Sequence, residues 1–334
     1  MFVTNAVHGV RPDRSLQAAP ARAGHGRLAS VTVDAAAEFQ AERGRLFVLA
    51  YRLLGSAADA EDVVQDAFVR WHGADRASIA APSAWLAKVV TNLCLNRLSS
   101  AAARRERYVG PWLPEPVLTG DGTLGPMERA QQRESVSLGL LVLLERLTPA
   151  ERAVFVLREA FGYGHRDIAG ILDLSEANCR QLHRRARQRV ADASPRFRPG
   201  RQQWRDLVER FLAATRDGDV RALEQTLAAD VVAWADGGGK VTAARRPVAG
   251  RRRVARYLAG AFGRFASGLD LTLAEVNGEP AVLGWAGGTL LGMTVLEISG
   301  DHITALRTIA NPDKLHYAQR QAARLSHSGR LPGS

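Results

Sequence analysis

The segment from His165 to Val190 restricts the fold more than any other part of this sequence. It predicts two short helices that pack together, with the small residue Ala169 at their closest approach and Ser175 capping the second helix. Asp173 stands at the turn position that often holds glycine, and aspartate enters the left-handed backbone region more readily than most residues. Apolar residues before, within and after the turn are Ile168, Leu172, Leu174, Cys179 and Leu182. The pattern is typical of a helix-turn-helix.

The second helix of this pair is basic, and its exposed face is predicted to contact DNA. Residues near the start of such a helix reach base edges, while flanking arginines contact phosphates. The alternative is a solvated, charged helix in an ordinary bundle, but the turn, the cap and the basic face coincide here. The predicted DNA contacts are Ser175, Glu176, Ala177, Asn178, Arg180, Gln181, Arg184 and Arg185.

The overall charge agrees with a polyanionic partner. The chain of 334 residues has a formal net charge of +11. Such an excess favours nucleic acid or an anionic membrane surface, unless it reflects only heavy use of arginine throughout the chain. The uncharged stretch 280–296 is nearly long enough to span a bilayer, but four glycines interrupt it. It predicts two strands of a soluble sheet, and no membrane partner is expected.

The two cysteines, Cys94 and Cys179, each lie inside a helical pattern. Neither belongs to a CxxC motif or to a spacing that would hold a metal, so both are expected to be small buried residues in a reducing compartment. Pro12 and its charged neighbours interrupt the apolar run that a signal peptide would need. We expect a cytoplasmic protein without a metal or a cofactor.

Hydrophobic periodicity divides the chain into helical and mixed parts. Asn277-Gly278 is a hairpin signal between two alternating segments of the mixed part. The predicted fold class is therefore two all-α domains followed by one α+β domain. The predicted segments are a disordered arm (1–33), a three-helix domain (34–107), a linker (108–130), a second helical domain (131–196), an α+β domain (200–320) and a flexible tail (321–334).

The second helix of the three-helix domain has an acidic face on an otherwise basic protein. This face comprises Asp59, Glu61, Asp62, Gln65 and Asp66. Acids in the first turn of a helix interact favourably with its dipole, but Gln65 and Asp66 lie deeper in the helix. The second interpretation is a docking surface for a basic protein partner, and charge alone leaves both open.

These residues resemble a known family, the extracytoplasmic-function sigma factors. The stretch Asp59–Phe68 resembles the polymerase-binding helix of that family, and Trp85–Arg97 resembles the helix that acts on the minus-ten promoter element. The helix-turn-helix, preceded by Leu147–Arg152, is similar to the reader of the minus-thirty-five element. All three occur in the order of the family, and the resemblance covers roughly residues 36 to 195.

The resemblance implies a set of partners and roles. The partners would be promoter DNA and core RNA polymerase, through its β′ clamp helices and its β subunit, with the acidic face docking on the basic clamp helices. The segment 72–81 would capture a flipped base of the minus-ten element, whose unstacking costs a few kcal/mol. The residues that would line the single strand are Lys88, Asn92, Asn96 and Arg97.

Residues 201 to about 320 look like a SnoaL-like domain, a cone of helices against a curved sheet. Three short segments resemble the sigma-factor subgroup in which a fused domain of this kind regulates activity in cis. We expect these segments to form a regulatory interface with the linker and the helical domains. Their residues are Trp112, Pro114, Glu115, Asp236, Gly237, Gly238, Gly239, Lys240, Asn311, Pro312, Asp313, Lys314 and Leu315.

The glycine run at 237–239 does not fit a phosphate-binding loop, because Trp234 and Val241 stand where that motif needs Gly and Ser or Thr. A hairpin or an interface loop is the better interpretation. The cone has room for an unidentified small ligand. SnoaL-like folds also host isomerases and hydrolases, but the available acids and bases, Asp230, Asp236, Glu275 and His302, form no visible pair.

Three functions are therefore compared. The first is a promoter-specificity factor with a regulatory C-terminal domain and no catalytic residues. The second is a ligand-sensing helix-turn-helix regulator that binds duplex DNA without polymerase, and such a protein has no need of the acidic face. The third is an isomerase or hydrolase fused to a DNA-binding module, which would show turnover.

Overall fold

The computed structural model describes residues 25–105, 107–119, 136–190, 201–265 and 268–327. They form two helical domains and a C-terminal α+β domain, which confirms the predicted fold class. The first helical domain contains α1 (His25–Leu54), α2 (Ala57–His72) and α3 (Pro82–Arg105), with a 3₁₀ turn at Arg76–Ser78 between the last two.

The apolar stripes of α1, α2 and α3 form the core of the first helical domain. Leu49, Val63 and Val90 are among its fully buried residues. The indole of Trp71 is buried as well and donates a hydrogen bond to the Ala35 carbonyl at 3.0 Å. This bond fixes the end of α2 against the start of the packed part of α1.

The first helix begins earlier than predicted. Its start at His25 lies inside the segment 1–33, which was predicted to be disordered. That prediction is wrong for residues 25–33, which belong to α1. Residues 1–24 lie outside the described residues.

The second helical domain contains α4 (Leu138–Leu144), α5 (Pro149–Phe155), α6 (His165–Leu172) and α7 (Glu176–Val190). A π-helical turn at 156–160 continues α5. The predicted helix-turn-helix consists of α6 and α7. Asp173 adopts a left-handed conformation with φ of +54°, and the Ser175 hydroxyl accepts a hydrogen bond from the Asn178 amide at 3.2 Å. Both local predictions are confirmed.

The C-terminal domain is a six-stranded sheet with helices on its two faces. The strand order is β2-β1-β6-β5-β4-β3, with β1 and β6 parallel and the other neighbours antiparallel. Its elements are α8 (Arg201–Arg216), α9 (Val220–Thr226), β1 (Leu227–Asp236), β2 (Val248–Ala249), α10 (Arg251–Phe265), β3 (Asp270–Val276), β4 (Glu279–Ala286), β5 (Thr289–Ser299), β6 (His302–Ile309) and α11 (Pro312–His327).

The last helix replaces much of the predicted tail. α11 runs to His327, so the boundary at 321 falls within a helix and the flexible tail is wrong for residues 321–327. The apolar period of Leu315 and Ala318 continues through Ala322 and Leu325, which are buried. Residues 328–334 lie outside the described residues.

The sheet separates two hydrophobic cores. One face packs on α8, α9 and α10 through residues such as Leu223, Leu296 and Leu306. The opposite face shares a continuous core with both helical domains, to which Val276 and Val295 belong. The C-terminal domain is therefore joined to the two helical domains through buried apolar surface.

Two further sequence predictions concern the cysteines and membrane segments. Cys94 and Cys179 are buried free thiols, as predicted. Among the described helices, none is both long enough and apolar enough to cross a bilayer. The stretch 280–296 forms β4 and most of β5, and Asn277-Gly278 forms the hairpin before β4, which confirms the strand interpretation.

Candidate functional site

Asp236, at the end of β1, is the centre of the contact between the linker and the C-terminal domain. Its carboxylate is fully buried and accepts hydrogen bonds from the Tyr108 hydroxyl at 2.5 Å and the Leu113 amide at 2.9 Å. Lys314 of α11 completes the site, with its ammonium 2.7 Å from Asp236 and 2.5 Å from the Leu113 carbonyl. The three predicted interface segments therefore meet at one buried ion pair.

Two aromatic rings of the linker enclose the Lys314 ammonium. It lies 4.6 Å from the ring centroid of Tyr108 and 4.2 Å from that of Trp112. Such contacts stabilise a desolvated cation through the negative face of the ring. Burial, reinforced by the hydrogen bond to Asp236, raises the pKa of Tyr108, so its hydroxyl keeps its proton and donates a hydrogen bond to the carboxylate. Tyr108 was missed by the sequence analysis because it lies outside the recognisable segments.

The glycine-rich loop after β1 fits against Asn311, as an interface loop should. Asn311 donates to the Tyr108 hydroxyl at 2.8 Å, and its backbone amide donates to the Asp236 carbonyl at 2.9 Å. A Cβ atom at Gly238 would lie 2.3 Å from the Asn311 amide nitrogen, and one at Gly239 would lie 3.3 Å from Val109. Both glycines have positive φ, so close approach and backbone conformation agree.

The other members of the predicted interface lie around this centre. Pro114 and Leu315 are buried, and Gly237 packs closely against Ala243. Lys240 forms an exposed ion pair with Asp313 at 2.6 Å, and Pro312 is exposed at the start of α11.

Glu115 connects the linker to the first helical domain. Its carboxylate accepts hydrogen bonds from the Ser56 hydroxyl at 2.9 Å and the Ala58 amide at 3.0 Å, at the N-terminus of α2. Its backbone carbonyl accepts one from the Tyr51 hydroxyl at 2.5 Å. Burial raises the pKa of Glu115, although the hydrogen bonds oppose this shift. The linker therefore caps the helix that carries the acidic face.

Asn277, in the hairpin between β3 and β4, joins three parts of the chain. The side chain is fully buried, and its oxygen accepts from the Val117 amide at 3.0 Å. Its amide nitrogen donates to the Tyr51 hydroxyl at 2.8 Å and to the Val136 carbonyl at 2.6 Å. One side chain thus links the linker, α1 and the start of the second helical domain. The sequence analysis found the turn but not this role.

α11 holds the end of the described linker. The side-chain amide of Gln321 pairs with the backbone of Leu118, accepting at 2.9 Å and donating at 3.3 Å. Leu118 also bridges to Val276 in antiparallel fashion, and the Thr119 amide donates to the Glu275 carbonyl at 3.0 Å. The linker is therefore anchored along its described length.

The acidic face on α2 is exposed but partly paired. Gln65 is exposed, whereas Glu61 lies 3.7 Å from Arg43 and 3.4 Å from Arg320 of α11. Arg97 of α3 lies within ion-pair distance of three of the acids. These are Asp59 at 3.6 Å, Asp62 at 3.6 Å and Asp66 at 3.1 Å.

Arg97 lies on a different side of α3 from the other predicted minus-ten residues. At about 100° per residue, Asn92 and Asn96 project within roughly 80° of Lys88 on α3, whereas Arg97 projects to the opposite side. In this conformation Arg97 does not share a face with the other predicted single-strand contacts, and its contact with DNA stays a prediction. Its guanidinium is held on the acidic face by the carboxylates of α2.

Lys88 brings the two predicted DNA-binding surfaces into contact. Its ammonium lies 2.8 Å from the carboxylate of Asp173, in the turn of the helix-turn-helix, and 2.9 Å from the Gly170 carbonyl, near the end of α6. We call this the closed arrangement. The predicted contacts on α7 are exposed or half-exposed, and Arg180 pairs with Glu176 within the helix.

The comparisons with known proteins agree with this architecture. Residues 39–104 match the family model of sigma-70 region 2, and residues 137–190 match that of sigma-70 region 4. The chain is 39% identical over 305 residues to the ECF RNA polymerase sigma factor SigJ of Mycobacterium tuberculosis, covering 88% of this chain and 97% of that protein. It is 33% identical to the probable ECF RNA polymerase sigma factor SigI of the same organism, covering 84% and 94%.

A solved structure shows the same fold. The crystal structure of the Mycobacterium tuberculosis SigJ matches with a TM-score of 0.67 and 36% identity, covering 84% of this chain and 98% of that one. The match therefore includes both helical domains and the C-terminal domain. The chain belongs to the extracytoplasmic-function family of RNA polymerase sigma factors.

Proposed function

We propose that this sigma factor directs RNA polymerase to its promoters, and that its C-terminal domain regulates this activity in cis by holding the linker. The observation that carries the regulatory part is the buried network of Asp236 and Lys314 around Leu113. A linker that only connected two domains would have no need of a buried ion pair on a third domain.

The closed arrangement cannot engage both promoter elements. The minus-ten and minus-thirty-five elements lie about 25 base pairs apart, roughly 85 Å along B-form DNA. Lys88 and Asp173 are in direct contact, so their surfaces must separate before both elements are bound. The segment 106–137, at about 3.3 Å per residue, can reach roughly 100 Å when extended. A released linker is therefore long enough to let the two helical domains reach both promoter elements. A linker that is anchored on the C-terminal domain is not.

The contact between the helical domains contains buried charged groups that reduce the cost of opening. Arg152 of α5 is buried and donates to the Arg52 carbonyl at 2.9 Å, and burial lowers the pKa of both arginines to about 9. Among the described residues, three nitrogens of this pair have no hydrogen-bond partner. Buried unpaired donors each cost about 1–3 kcal/mol, so their rehydration offsets part of the apolar contact that opening loses.

Polymerase binding is assigned to the acidic face. Asp62, Gln65 and Asp66 are exposed and project from one surface of α2, which suits the basic β′ clamp helices. We further assign contacts with the β subunit to the second helical domain, and promoter contacts to α7 and to the Lys88 side of α3. Arg320 reaches Glu61, so α11 borders the docking surface.

We assign the protein to the cytoplasm and give it no catalytic role. Three of the four candidate acids and bases are engaged, Asp236 in the linker network, Glu275 with Thr119 and His302 with Asp301, whereas Asp230 is exposed on the surface of β1. A polymerase-independent regulator remains the second candidate, but such a protein leaves the acidic face without a partner.

The test is in vitro transcription with core polymerase, comparing the full chain with a protein truncated after Ser194. We expect the two to differ in promoter-specific transcript yield while both bind polymerase. Full-length Lys314→Met should shift the yield in the same direction as truncation. The matched control is Lys240→Met, which removes an exposed ion pair at the same interface. Equal yields from all four proteins would rule out regulation in cis.

A further inference from the structure

A cavity of about 450 Å³ lies inside the C-terminal domain, between the sheet and helices α8 and α10. Its walls are mainly apolar and include Phe211, Leu258, Leu271 and Val282. This size lies within the range of pockets that hold small organic molecules. Water that filled such a space would find few hydrogen-bond partners, and an empty space would forgo the packing contacts of a filled one.

The sheet side of the cavity is bare at its centre because two glycines face each other there. Gly284 of β4 and Gly292 of β5 are opposite in the antiparallel register. By strand alternation they share the cavity face with Val282 and Thr294. Gly292 does not have a positive φ, and a Cβ there would meet its neighbours at ordinary contact distances of 3.5 Å and more. Its backbone does not require glycine, so the missing side chain leaves open space.

The threonine hydroxyls of the cavity wall are paired or exposed. The Thr215 hydroxyl donates a hydrogen bond to the Phe211 carbonyl at 2.6 Å, and the hydroxyls of Thr294 and Thr308 are hydrogen-bonded to each other at 3.0 Å. Thr242 is exposed to solvent. Because a paired hydroxyl gains little from a further partner, these side chains do not favour a polar ligand.

The cavity also offers no charge that a ligand could neutralise. Arg264 is the one charged side chain among the described lining residues, and it is exposed and already engaged in another interaction. An anion or a cation that entered the cavity would lose its hydration without gaining a counter-charge, which is costly. The walls therefore select neutral molecules.

Tyr257 of α10 supplies a single polar group to this apolar space. Among the described residues its hydroxyl has no hydrogen-bond partner, and burial raises its pKa, so it keeps its proton at neutral pH. A protonated hydroxyl can donate a hydrogen bond to an acceptor oxygen such as that of a ketone. A ligand with one such oxygen would satisfy the group that the fold leaves unpaired.

We propose that this cavity binds a neutral, mainly apolar molecule of about ten to fifteen non-hydrogen atoms that carries one acceptor oxygen. The apolar body lies over Gly292, and the Tyr257 hydroxyl donates a hydrogen bond to the oxygen. Burial of the apolar body supplies most of the affinity, and the hydrogen bond sets the orientation of the molecule.

The cavity is also continuous with the regulatory interface. Ala235 and Ala310 line it, and the residues that follow them are Asp236 and Asn311. A bound molecule therefore touches the two segments whose next residues hold the linker. This coupling to transcription rests on the proposed function, whereas the binding itself does not.

The test is isothermal titration of the full-length protein with 2-decanone, a neutral ketone with ten carbon atoms. We expect saturable binding to one site. Decanoate and decylamine have chains of the same length and opposite charges at neutral pH, and both should bind at least about tenfold more weakly than the ketone because their charges are not compensated.

Tyr257→Phe tests the hydrogen bond to the ketone. This variant should bind 2-decanone about fivefold more weakly than the wild type, the equivalent of one hydrogen bond of about 1 kcal/mol. Butylbenzene has about as many carbon atoms but no oxygen, so it should bind the wild type and Tyr257→Phe with equal affinity. An equal loss for both molecules would overturn the role of Tyr257.

Gly292→Leu fills the cavity and should reduce affinity for 2-decanone by at least about tenfold. Its control is Gly260→Leu, at an exposed position of α10 with no atom within 4 Å of the new Cβ. Hydrogen exchange of the wild-type protein gives a second readout that requires no variant to fold, and 2-decanone should protect peptides of α10 and β5.

Absent or unsaturable binding of 2-decanone, or equal affinity of the wild type and a folded Gly292→Leu, would overturn the site. Decanoate or decylamine binding as tightly as the ketone would overturn the selection of neutral molecules. Either failure would leave the truncation result of the proposed function untouched. Conversely, unchanged transcription on truncation would overturn regulation in cis even if 2-decanone bound.

Discussion

Lys314 and Asp236 form an ion pair 2.7 Å apart, and their side chains are 8% and 0% exposed. Asp236 is the last residue of β1, and Lys314 lies in the first turn of α11. Both also bind the linker backbone at Leu113. Buried ion pairs contribute little net stability, but loss of one partner leaves an uncompensated charge. The pair therefore holds the linker in one position. Removal of either partner should release the linker at Leu113.

Lys314→Met should destabilise the protein by about 3–5 kcal/mol and increase the separation of the helical domains. Lys240→Met, at an exposed pair, should change stability by less than about 1 kcal/mol. The measurements are the urea midpoint and the distance between fluorophores on α3 and α7. Equal effects of the two substitutions would contradict the role given to Lys314.

Asn277→Gly tests the hairpin contact. Glycine retains the positive φ of +54° and the backbone hydrogen bond to the Val117 carbonyl, but it removes the side-chain hydrogen bonds to the Val117 amide, Tyr51 and Val136. Because buried backbone groups lose their partners, we expect a loss of about 2–4 kcal/mol. Asp301→Gly, in the exposed turn before β6, is the control and should be nearly neutral in urea unfolding. Unchanged stability of Asn277→Gly in urea unfolding would show that the hairpin does not join the domains.

The acidic face predicts a specific defect in polymerase binding. Reversing charge at Asp62 and Asp66 together should weaken binding to core polymerase by at least about tenfold, because attraction becomes repulsion. The fold should be retained, since both side chains are exposed and their pairs with Arg97 are weak. Asp230→Lys, an exposed reversal on the C-terminal domain, is the control. Unchanged binding in a titration would remove the acidic face from the docking surface.

Glu115 predicts a dependence of stability on pH. Burial raises its pKa above the usual value of 4.5, so its stabilising contribution is full below about pH 4.5 and is lost as the pH rises through the raised pKa. Glutamine does not titrate, so Glu115→Gln does not lose this contribution. As the pH rises from about 4.5 to 7, the free energy of unfolding of the variant should therefore increase relative to that of the wild type. Thermal midpoints over this range measure the difference between variant and wild type. The control is Glu209→Gln at an exposed position, for which this difference should not change with pH. A relative loss on raising the pH would contradict the assignment.

The parts of the fold that depend on neighbouring residues were predictable from the sequence. Asp173 and Ser175 define the turn and cap of the helix-turn-helix through their own backbone and side-chain preferences. The three interface segments were also identified, through their resemblance to a subgroup of sigma factors. Their meeting at Asp236 could be expected only from the family resemblance.

The parts that depend on distant partners were not predictable. Arg97 has the sequence position of a DNA contact, but the carboxylates of α2 set its orientation. The roles of Asn277 and Tyr51, which are 226 positions apart, exist only after three domains have packed. Residues 321–327 are a different case, because the apolar period of α11 continues through the buried Ala322 and Leu325 and was recognisable in the sequence.

The closed arrangement must open before promoter-specific initiation. The most direct measurement is transcription by a full-length protein with Lys88→Cys and Asp173→Cys, joined by a reducible bismaleimide across their contact. Cys94 and Cys179 are buried, and burial raises the pKa of both thiols, so the introduced cysteines react preferentially. The control joins Lys240→Cys to Asp313→Cys within the C-terminal domain.

We predict that the crosslink between positions 88 and 173 abolishes transcription from promoters that need both elements, that reduction restores it to the level of the uncrosslinked double variant, and that the control crosslink has no effect. Full transcription from the crosslinked, unreduced protein would contradict the account.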